Sequence, residues 1–431
     1  MKVAEISDIG KYVGGEARLK GWVYNIRSSG KILFIILRDG TGMIQCVVEE
    51  SEVGSDTFEK ASGLTQESSV EVRGEVVEDS RAPGGFEMKL NFIEIIQLSE
   101  SYPITPKEHG DSFLLDHRHL WLRSSKQNLI LRIRASAVRY IREFFDNRGF
   151  ICCDTPIFTP NACEGTTTLF RTDYFGDNAY LTQSGQLYNE ATAAAFRKVY
   201  CFGPTFRAEK SKTRRHLIEF WMVEPEVAFA DLDDIMELAE DFVSEVTARI
   251  IDEFEDSLRD VLGRDVEKLK KVKAPFPRIS YDQAAEILRD KGEDFEYGKD
   301  FGGNHETVLS EEFDRPFFVH RFPAAIKAFY MEPDPENESL SLSVDLLASE
   351  GYGEIIGGGQ RAYDLEFLKE KIKEDGLSQE DFEWYLDLRR YGAFPHSGFG
   401  LGLERFLTYI CGIQHVRETI PFPRLLNRLS P

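Results

Sequence analysis

The stretch FRAEKSKTRRHLIEFWMVEPE, residues 206–226, combines side chains that bind phosphate with side chains that bind small polar molecules. Its first half is rich in Lys and Arg, and an arginine such as Arg207 can donate paired hydrogen bonds to a phosphate. Its second half places aromatic rings beside carboxylates. The pattern predicts two strands joined by a basic loop, with Arg207 and Glu209 on one face and His216 and Phe220 on one face. An exposed, charged hairpin without a ligand is the alternative interpretation.

A second candidate is the glycine-rich run GFGLGLERFLTYICG, residues 398–412. Its glycines allow close approach of the backbone, so we expect a turn followed by a helix that presents Arg405 near its start. The sequence contains no GxxxxGK[ST] run, which argues against a P-loop nucleotide site. A third stretch, RGFICCDTPIF at residues 148–158, predicts a strand interrupted by Pro156, as occurs at sheet edges and interfaces.

Taken in chain order, these three stretches resemble motifs 1, 2 and 3 of the class II aminoacyl-tRNA synthetases, and the resemblance covers essentially the whole chain. Within the aspartyl, asparaginyl and lysyl subgroup, FGPTFRAE, TRRHLIEFWMVEPE and YGEIIGGGQR are most similar to the asparaginyl members. The resemblance implies a ligase that joins L-asparagine to tRNA(Asn), with ATP as substrate and Mg²⁺ as cofactor. It also implies a cytoplasmic homodimer whose interface includes the strand with Pro156.

The resemblance assigns a nucleotide site to residues of the second and third motifs. It implies that Arg207 holds the ATP α-phosphate and that Glu209 meets the adenine amino group. Adenine would lie between the Phe220 ring and the Arg405 guanidinium, and His216 would approach the outer phosphates together with Arg405. Arg207 and Arg405 are therefore the expected catalytic residues.

Two carboxylates, Asp345 and Glu354, resemble those that bind Mg²⁺ in the family, and hard oxygen ligands suit this ion. The spacing in DLLASEGYGEI is slightly longer than in aspartyl relatives, so Asp345 corresponds less closely than Glu354 does. Gly357 stands where some relatives supply a hydroxyl group.

The resemblance also outlines an amino-acid pocket. EGTTTLF, residues 164–170, is similar to the loop that closes over the amino acid, and Glu164 would bind its ammonium group. Ser184 and Gln186 in TQSGQLYNE would contact its main-chain groups, and Arg361 in GGGQR would bind its side-chain oxygen. Taken one at a time, Ser184, Gln186 and Arg361 are more typical of a turn residue, a surface amide and a surface ion pair.

The choice between asparagine and aspartate depends on charge. Aspartate-specific relatives carry QSPQLYK, whose lysine meets the second carboxylate oxygen, and here that position is Asn189. Glu224 can accept a hydrogen bond from an amide NH₂ and would repel aspartate, at a cost of roughly 2–5 kcal/mol. Asn189, Glu224 and Arg361 therefore favour asparagine. An aspartate-charging relative, strict or relaxed, is the first alternative.

These side chains need a scaffold, and the sequence changes character along the chain. Residues 1–100 contain β-rich runs separated by Gly, Ser, Asp and Pro-Gly-Gly, which predicts a five-stranded barrel of the OB-fold type. Residues 101–127 are polar and marked by proline, as in a linker. Residues 128–431 mix helices and strands without regular alternation, which predicts an α+β domain with an antiparallel sheet flanked by helices. Amphipathic helices are predicted over residues 127–149 and 231–254.

The resemblance makes the barrel an anticodon-binding domain and residues 128–431 the catalytic domain. Arg27, Phe34 and Gln45 correspond to residues that meet the anticodon. An aromatic ring can stack on an unpaired base, and an amide can hydrogen-bond to a base edge. Phe34 lies in an apolar strand, however, so periodicity alone predicts that its side chain belongs to the barrel core.

Composition excludes several other classes. The formal net charge of −22 opposes nonspecific nucleic-acid binding but permits a local basic surface. No apolar run approaches the length of a membrane span, and the start MKVAEISDIGK lacks the apolar stretch of a secretory signal. The six cysteines contain no CxxC pair, which predicts free thiols in a reducing cytosol.

Two further alternatives belong to other functional classes. An enzyme of the same fold could make free asparagine from aspartate and ammonia, but such relatives lack an anticodon barrel. An RNA-binding protein with an inactive catalytic domain would be expected to have lost Arg207, Glu354 or Arg405, and all three are present.

Overall fold

The computed structural model describes residues 2–160 and 169–431. The chain forms two compact units that divide between Leu114 and Leu115. The segment predicted as a linker, residues 101–127, contains two short helices and the start of a third. No helix among the described residues is long and apolar enough to cross a membrane. The cysteines described, Cys46, Cys152, Cys153, Cys201 and Cys411, are free thiols.

The first unit is a closed five-stranded barrel, as predicted, with the strand order β1-β2-β3-β5-β4. Neighbouring strands are antiparallel except β3 and β5, which pair in parallel. The strands are β1 (Glu16–Ser29), β2 (Ile32–Arg38), β3 (Met43–Glu49), β4 (Ser69–Glu78) and β5 (Phe86–Gln97), and two short helices, α1 (Glu50–Val53) and α2 (Ser55–Ser62), follow β3. Apolar residues alternate along the strands, so that Leu33, Ile35 and Leu37 of β2 are buried in the barrel core.

The second unit is built on a large sheet. Over the described part of the chain, this sheet has eight strands in the order β12-β13-β16-β17-β18-β11-β10-β6. Its central strands are antiparallel, as predicted, and a parallel pair lies at each edge. The strands of the sheet are β6 (Ile151–Cys152), β10 (Lys198–Phe206), β11 (Glu219–Ala228), β12 (Arg278–Ser280), β13 (Phe317–His320), β16 (Ser343–Ala348), β17 (Gly353–Arg361) and β18 (His396–Gly402).

Smaller sheets and helices surround the large sheet. A three-stranded sheet contains β7 (Phe158–Thr159), β8 (Arg171–Tyr174) and β9 (Asp177–Leu181), and a two-stranded sheet contains β14 (Pro333–Asp334) and β15 (Asn337–Ser341). The helices are α3 (Asp111–Asp116), α4 (Arg118–Trp121), α5 (Ser125–Asp146), α6 (Gln186–Phe196), α7 (Leu232–Asp260), α8 (Val266–Leu269), α9 (Tyr281–Asp290), α10 (Gly303–Glu311), α11 (Leu365–Glu374), α12 (Glu383–Arg390) and α13 (Leu403–Cys411).

The two long helices, α5 and α7, form where the sequence predicts them. The Ser124 side chain caps α5 by accepting from the Gln127 N–H, and Asp231 with Asp234 forms a capping box at the start of α7. Their apolar faces pack with the central strands into one large core, in which Phe144 contacts Phe242. This core holds the strands that carry the candidate site.

The glycine-rich run is a strand, not the turn that the sequence suggested. Residues 396–402 form β18 between β11 and β17, and α13 begins directly afterwards at Leu403. A Cβ atom at Gly398 would lie 2.0 Å from Glu226 Oε2. The glycines are therefore needed because side chains of β11 cross over β18, and Arg405 still lies near the start of a helix.

Candidate active site

Two adjoining cavities form a cleft along the central strands of the large sheet. One surrounds His216, and the other, of about 650 Å³, surrounds Arg361. We call them the His216 end and the Arg361 end of the cleft. The two ends share the lining residues Arg207, Met222, Glu354 and Gly400. A cation and a carboxylate therefore lie where the two ends meet.

Arg207 is held just beyond the end of β10. Its N–H donates to the Ile218 carbonyl at 3.0 Å, and its guanidinium carbon lies 5.5 Å from the centroid of the Phe220 ring. An arginine beside an aromatic ring and at the junction of two cavities is well placed to bind an anion that spans them.

The predicted alternation of residues 206–220 is wrong, because the strands are shorter than the sequence pattern suggested. Arg207, Glu209 and His216 lie in the loop between β10 and β11. The Ile218 N–H donates to the Arg424 carbonyl at 2.9 Å, so Ile218 is hydrogen-bonded to the C-terminal segment as well as to Arg207. The loop nevertheless brings all three side chains to the His216 end of the cleft.

His216 lies within this loop. Its Nδ1 is hydrogen-bonded to the Thr213 hydroxyl, and its Nε2 lies 3.8 Å from Glu209 Oε2. Burial lowers the pKa of His216 below its ordinary value, and the positive charge of Arg405 lowers it further. An anion bound beside the ring would reverse this trend by favouring the protonated form.

Glu354 is bound by residues from two other elements. Arg405 Nη1 donates to Glu354 Oε2 at 2.9 Å, and the Glu354 N–H donates to Glu306 Oε2 at 3.1 Å. Arg215 Nη1 in turn donates to Glu306 Oε2 at 2.8 Å. Burial raises the pKa of Glu354, but Arg405 and Lys327 outweigh burial and hold it below its ordinary value. Glu354 is therefore ionised and fixed at its backbone as well as its side chain.

Asp345 lies beside Glu354 despite the longer spacing between them. Asp345 pairs with Gly357 across β16 and β17, and the register shifts between Leu346 and Leu347, so that Leu347 pairs with Glu354. A Cβ at Gly357 would lie 3.0 Å from Glu354 Oε1 and 3.5 Å from Asp345 Oδ1, so both carboxylates flank one point. Lys327 Nζ donates to the two Asp345 oxygens at 3.0 and 2.8 Å.

Asp345 and Glu354 fit a magnesium ion bound partly by substrate. Burial raises the pKa of Asp345 to about 7, with Lys327 opposing and Glu354 reinforcing this rise. Such mutual repulsion between carboxylates is relieved by a divalent cation. Within residues 2–160 and 169–431 no group of three or more His, Cys, Asp and Glu side chains is arranged around a metal position. Two carboxylates suffice because Mg²⁺ commonly completes its shell with water and phosphate oxygens.

At the other end of the cleft, Arg361 forms a buried ion pair with Glu226. Arg361 Nε and Nη2 each donate to Glu226 at 3.1 Å, and the two side chains are 3% and 1% exposed. The alternative that Arg361 forms a surface ion pair is therefore wrong. Burial raises the pKa of Glu226, and the bond to Arg361 opposes this rise. A buried pair with two hydrogen bonds fixes the guanidinium in one orientation.

Glu224 projects from β11 into the Arg361 end. It accepts from the Ser184 hydroxyl, and its Oε2 accepts from the Gly185 N–H at 2.9 Å. Gln186 is buried, so it is not the surface amide of the alternative interpretation. Ser184 is also buried and lies in the segment between β9 and α6. Asn189 Nδ2 donates to the Glu224 carbonyl at 2.7 Å, so Asn189 supports the backbone of Glu224 from behind.

Comparison with known proteins places this cleft in a family. The family model described as "tRNA synthetases class II (D, K and N)" matches residues 110–426, and "OB-fold nucleic acid binding domain" matches residues 17–96. The asparagine–tRNA ligase of Pelotomaculum thermopropionicum is 58% identical, with all of both chains covered. The chain belongs to the asparagine–tRNA ligases, a family of class II tRNA synthetases.

Two solved structures of the asparagine–tRNA ligase family have the same fold. The asparaginyl-tRNA synthetase from Pyrococcus horikoshii, complexed with asparaginyl-adenylate, is 45% identical and superposes with a TM-score of 0.97 over all of both chains. The enzyme from Entamoeba histolytica, also in complex with asparaginyl-adenylate, is 32% identical with a TM-score of 0.89, again over all of both chains. The identification made from the sequence motifs is confirmed.

Most residues that the sequence selected for an asparagine–tRNA ligase lie in the cleft. The His216 end contains Arg207, Glu209, His216, Phe220, Glu354 and Arg405. The Arg361 end contains Ser184, Gln186, Glu224, Asp345 and Arg361. Glu164, predicted to bind the ammonium group, lies outside the described residues.

The barrel residues predicted for this family lie together on the outer surface of the first unit. Arg27 is paired with Phe34 across β1 and β2, and Gln45 is paired with Ile36 across β2 and β3. Phe34 is half-buried, and the Arg27 guanidinium lies 5.8 Å from its ring centroid. The core prediction for Phe34 is wrong, because the buried residues of β2 are its immediate neighbours. Gln45 Nε2 donates to Glu87 Oε2 at 2.7 Å.

The residues of the cleft that the sequence analysis did not select include three charged side chains. Glu306 comes from α10, Lys327 precedes β14, and Glu226 follows Glu224 by two positions on β11. For Glu306 and Lys327 the sequence shows only a charged residue in a segment without a motif, which does not indicate a functional site. Glu226 shares a face with Glu224 under strand alternation, which was the one clue that could have found it.

Proposed function

We propose that the chain activates L-asparagine with ATP and transfers it to tRNA(Asn). The observation that carries this proposal is the Arg361 end of the cleft, where a carboxylate and a fixed guanidinium face one cavity. An amide side chain has one NH₂ donor and one carbonyl acceptor, so Glu224 and Arg361 match both of its groups. The side-chain carboxylate of aspartate has only acceptors, so no hydrogen bond can join it to the Glu224 carboxylate and the two negative charges would repel each other.

In the first step, an oxygen of the asparagine carboxylate forms a bond to the α-phosphorus of ATP. The bond from that phosphorus to the oxygen bridging to the β-phosphate breaks, and pyrophosphate leaves. Arg207 stabilises the charge on the α-phosphate, which is supported by its place where the two ends of the cleft meet. The enzyme needs no nucleophile of its own for this step, because it contributes mainly orientation and charge stabilisation.

The His216 end binds the nucleotide. Adenine lies between Phe220 and Arg405, Glu209 accepts from its amino group, and His216 faces the outer phosphates. The distance of 5.5 Å between the Arg207 guanidinium and the Phe220 ring supports a base and an α-phosphate at neighbouring positions. Asp345 and Glu354 would hold Mg²⁺, which would supply charge neutralisation for the pyrophosphate.

In the second step, the terminal ribose hydroxyl of the tRNA attacks the carbonyl carbon of asparaginyl adenylate, and AMP leaves. The barrel binds the anticodon through Arg27, Phe34 and Gln45. Their placement on one outer surface supports this role, because a half-buried ring beside an arginine can stack on an unpaired base.

The chain acts as a homodimer in the cytoplasm. Ile151, Ile157 and Phe158, which flank Pro156, are large apolar side chains with roughly half of their surface exposed. Contact with a second copy would bury these residues. Size-exclusion chromatography coupled to multi-angle light scattering should give twice the mass of the chain. A monomer at micromolar concentration would contradict the proposed dimer.

The activity is tested by charging a tRNA(Asn) transcript with labelled asparagine in the presence of ATP and Mg²⁺. The wild type should form asparaginyl-tRNA, and aspartate should give no product. Arg207→Ala serves as the inactive control, with circular dichroism to verify its fold. Stable charging with aspartate, or charging by Arg207→Ala at the wild-type rate, would contradict the proposal.

A further inference from the structure

Behind the Arg361 end lies a buried carboxylate, Glu190, that no part of the proposed chemistry uses. Its side chain is 1% exposed and accepts hydrogen bonds from four groups. The donors are Gln186 Nε2 at 3.0 Å, Tyr385 OH at 2.9 Å, Arg389 Nη2 at 2.7 Å and His396 Nε2 at 3.0 Å. One of them, Gln186, also lines the cleft. Glu190 therefore connects the amino-acid pocket to two buried cations.

The contacts of His396 fit the protonated form of its ring. Its Nδ1 lies 2.8 Å from the Phe394 carbonyl oxygen, and its Nε2 lies 3.0 Å from Glu190 Oε2. Both neighbouring atoms accept hydrogen bonds, so both contacts are hydrogen bonds only when both ring nitrogens carry a proton. His396 is 3% exposed, so its protonated form is a buried cation.

Arg389 connects Glu190 to the strand that carries Arg361. Arg389 Nε and Nη2 donate to the Ala362 carbonyl at 3.0 and 2.7 Å, directly after Arg361 in the chain. Burial alone would raise the pKa of Glu190, but Arg389 and His396 hold it well below its ordinary value. Glu190 is consequently ionised and binds two cations at once.

In the buried group of side chains around Arg361 and Glu190, the charges balance only when Glu190 is counted. The carboxylates are Glu190, Glu224 and Glu226, and the cations are Arg361, Arg389 and His396. A neutral amide side chain leaves this balance undisturbed. A substrate carboxylate would add a negative charge that no excess cation of this group meets, and such a charge is costly in a buried site.

We infer that Glu190 is a positioning and specificity-determining residue. It holds Gln186 in place, and its charge cancels one of the three cations behind the pocket. Aspartate is excluded because no unmatched cation is left to bind its side-chain carboxylate. This inference rests on the proposed asparagine activation and extends it from Glu224 to a residue that does not touch the substrate. Removing the charge of Glu190 leaves an unmatched cation, which a substrate carboxylate can neutralise.

The test is ATP–pyrophosphate exchange, measured with asparagine and with aspartate, in Glu190→Gln. The ratio of kcat/KM for asparagine to kcat/KM for aspartate should fall by roughly tenfold or more. An unmatched cation interacts strongly with a substrate carboxylate in a poorly solvated site. Removing His396 as well, in Glu190→Gln with His396→Gln, restores the balance and should return the ratio towards the wild-type value. His396→Gln alone leaves an excess carboxylate and should raise the ratio.

Glu240→Gln is the matched control, because Glu240 is also a buried carboxylate and accepts from the Phe276 N–H at 2.8 Å, far along the chain from the pocket. It should alter thermal stability and leave the ratio unchanged.

A ratio unchanged in Glu190→Gln, or equal losses with both amino acids, would show a purely structural role and overturn the inference. Should Glu190→Gln fail to fold, an unchanged ratio in His396→Gln overturns it instead. A wild type that does not activate asparagine would refute the proposed function itself.

Discussion

Arg405 and Glu354 come from the helix α13 and the strand β17, 51 residues apart, and are joined by a hydrogen bond of 2.9 Å. The sequence selected each residue from a different motif, and nothing in the sequence indicated that they touch. The pair places a planar cation at the His216 end while Glu354 reaches the junction with the Arg361 end. One contact therefore fixes the orientation of a proposed adenine-binding residue and a proposed metal ligand together.

Arg405→Lys separates the charge of Arg405 from its planar shape. A lysine keeps a cation near Glu354 but cannot stack on adenine as a guanidinium does, so the KM for ATP should rise by about tenfold. The KM for asparagine should change little, because Arg405 does not line the Arg361 end. Initial rates of pyrophosphate exchange at varied ATP and varied asparagine measure both constants. Arg259→Lys, on the exposed end of α7, is the control. An equal rise in both KM values would argue against the stacking role.

Glu224→Gln tests the amide acceptor. The glutamine can still accept from the Gly185 N–H, but it no longer repels a substrate carboxylate. Aspartate activation relative to asparagine should therefore rise by roughly tenfold or more. Competition between the two amino acids in pyrophosphate exchange gives this ratio. Unchanged selectivity would remove Glu224 from the discrimination.

The pH dependence of ATP binding reports on His216. Burial and the Arg405 charge lower the pKa of His216 in the free enzyme, whereas nearby phosphate groups favour the protonated ring and raise it. Binding then takes up a proton, so the affinity for ATP should increase as the pH falls from about 8 to about 6. Asp345 also titrates in this range, so His216→Gln is needed for comparison. Calorimetry in two buffers of different ionisation enthalpy measures the proton uptake, and equal uptake by His216→Gln would contradict this assignment.

Phe34→Ala separates recognition from stability in the barrel. Because Phe34 points away from the core, its removal should weaken tRNA charging while leaving the barrel folded and pyrophosphate exchange unchanged. The neighbouring Ile35→Ala is the contrast, since Ile35 is fully buried and its truncation should cost about 2–5 kcal/mol of stability. Charging kinetics and thermal denaturation distinguish the two variants. Unfolding of the barrel in Phe34→Ala would mean that Phe34 has a structural role after all.

The sequence predicted elements whose signals are local. The helix α5 has an apolar stripe and a serine cap, and α7 has an aspartate capping box, so each could be recognised within its own residues. The barrel strands alternate clearly enough to predict five strands. By contrast, β18 was mistaken for a turn, because glycine suggests a turn locally and the crossing Glu226 side chain comes from another strand.

The site could be predicted only where a motif marked it. Glu306 and Lys327 lie beside Glu354 and Asp345 because the fold brings α10 and the segment before β14 to the cleft, which no spacing in the sequence encodes. For Phe34, periodicity alone did not establish which face of the strand points inward, since both faces carry apolar residues. Such contacts join residues that are distant in the sequence, so they are determined by the tertiary structure.

The central claim is that the cleft activates asparagine and rejects aspartate. The most direct measurement is ATP–pyrophosphate exchange by the wild type with each of the twenty amino acids in turn, without tRNA. Exchange with asparagine alone is the predicted result and would establish adenylation and selectivity together. Exchange with aspartate at a comparable rate would contradict the roles given to Glu224 and Arg361, and exchange with no amino acid would contradict the assignment of the His216 end to ATP.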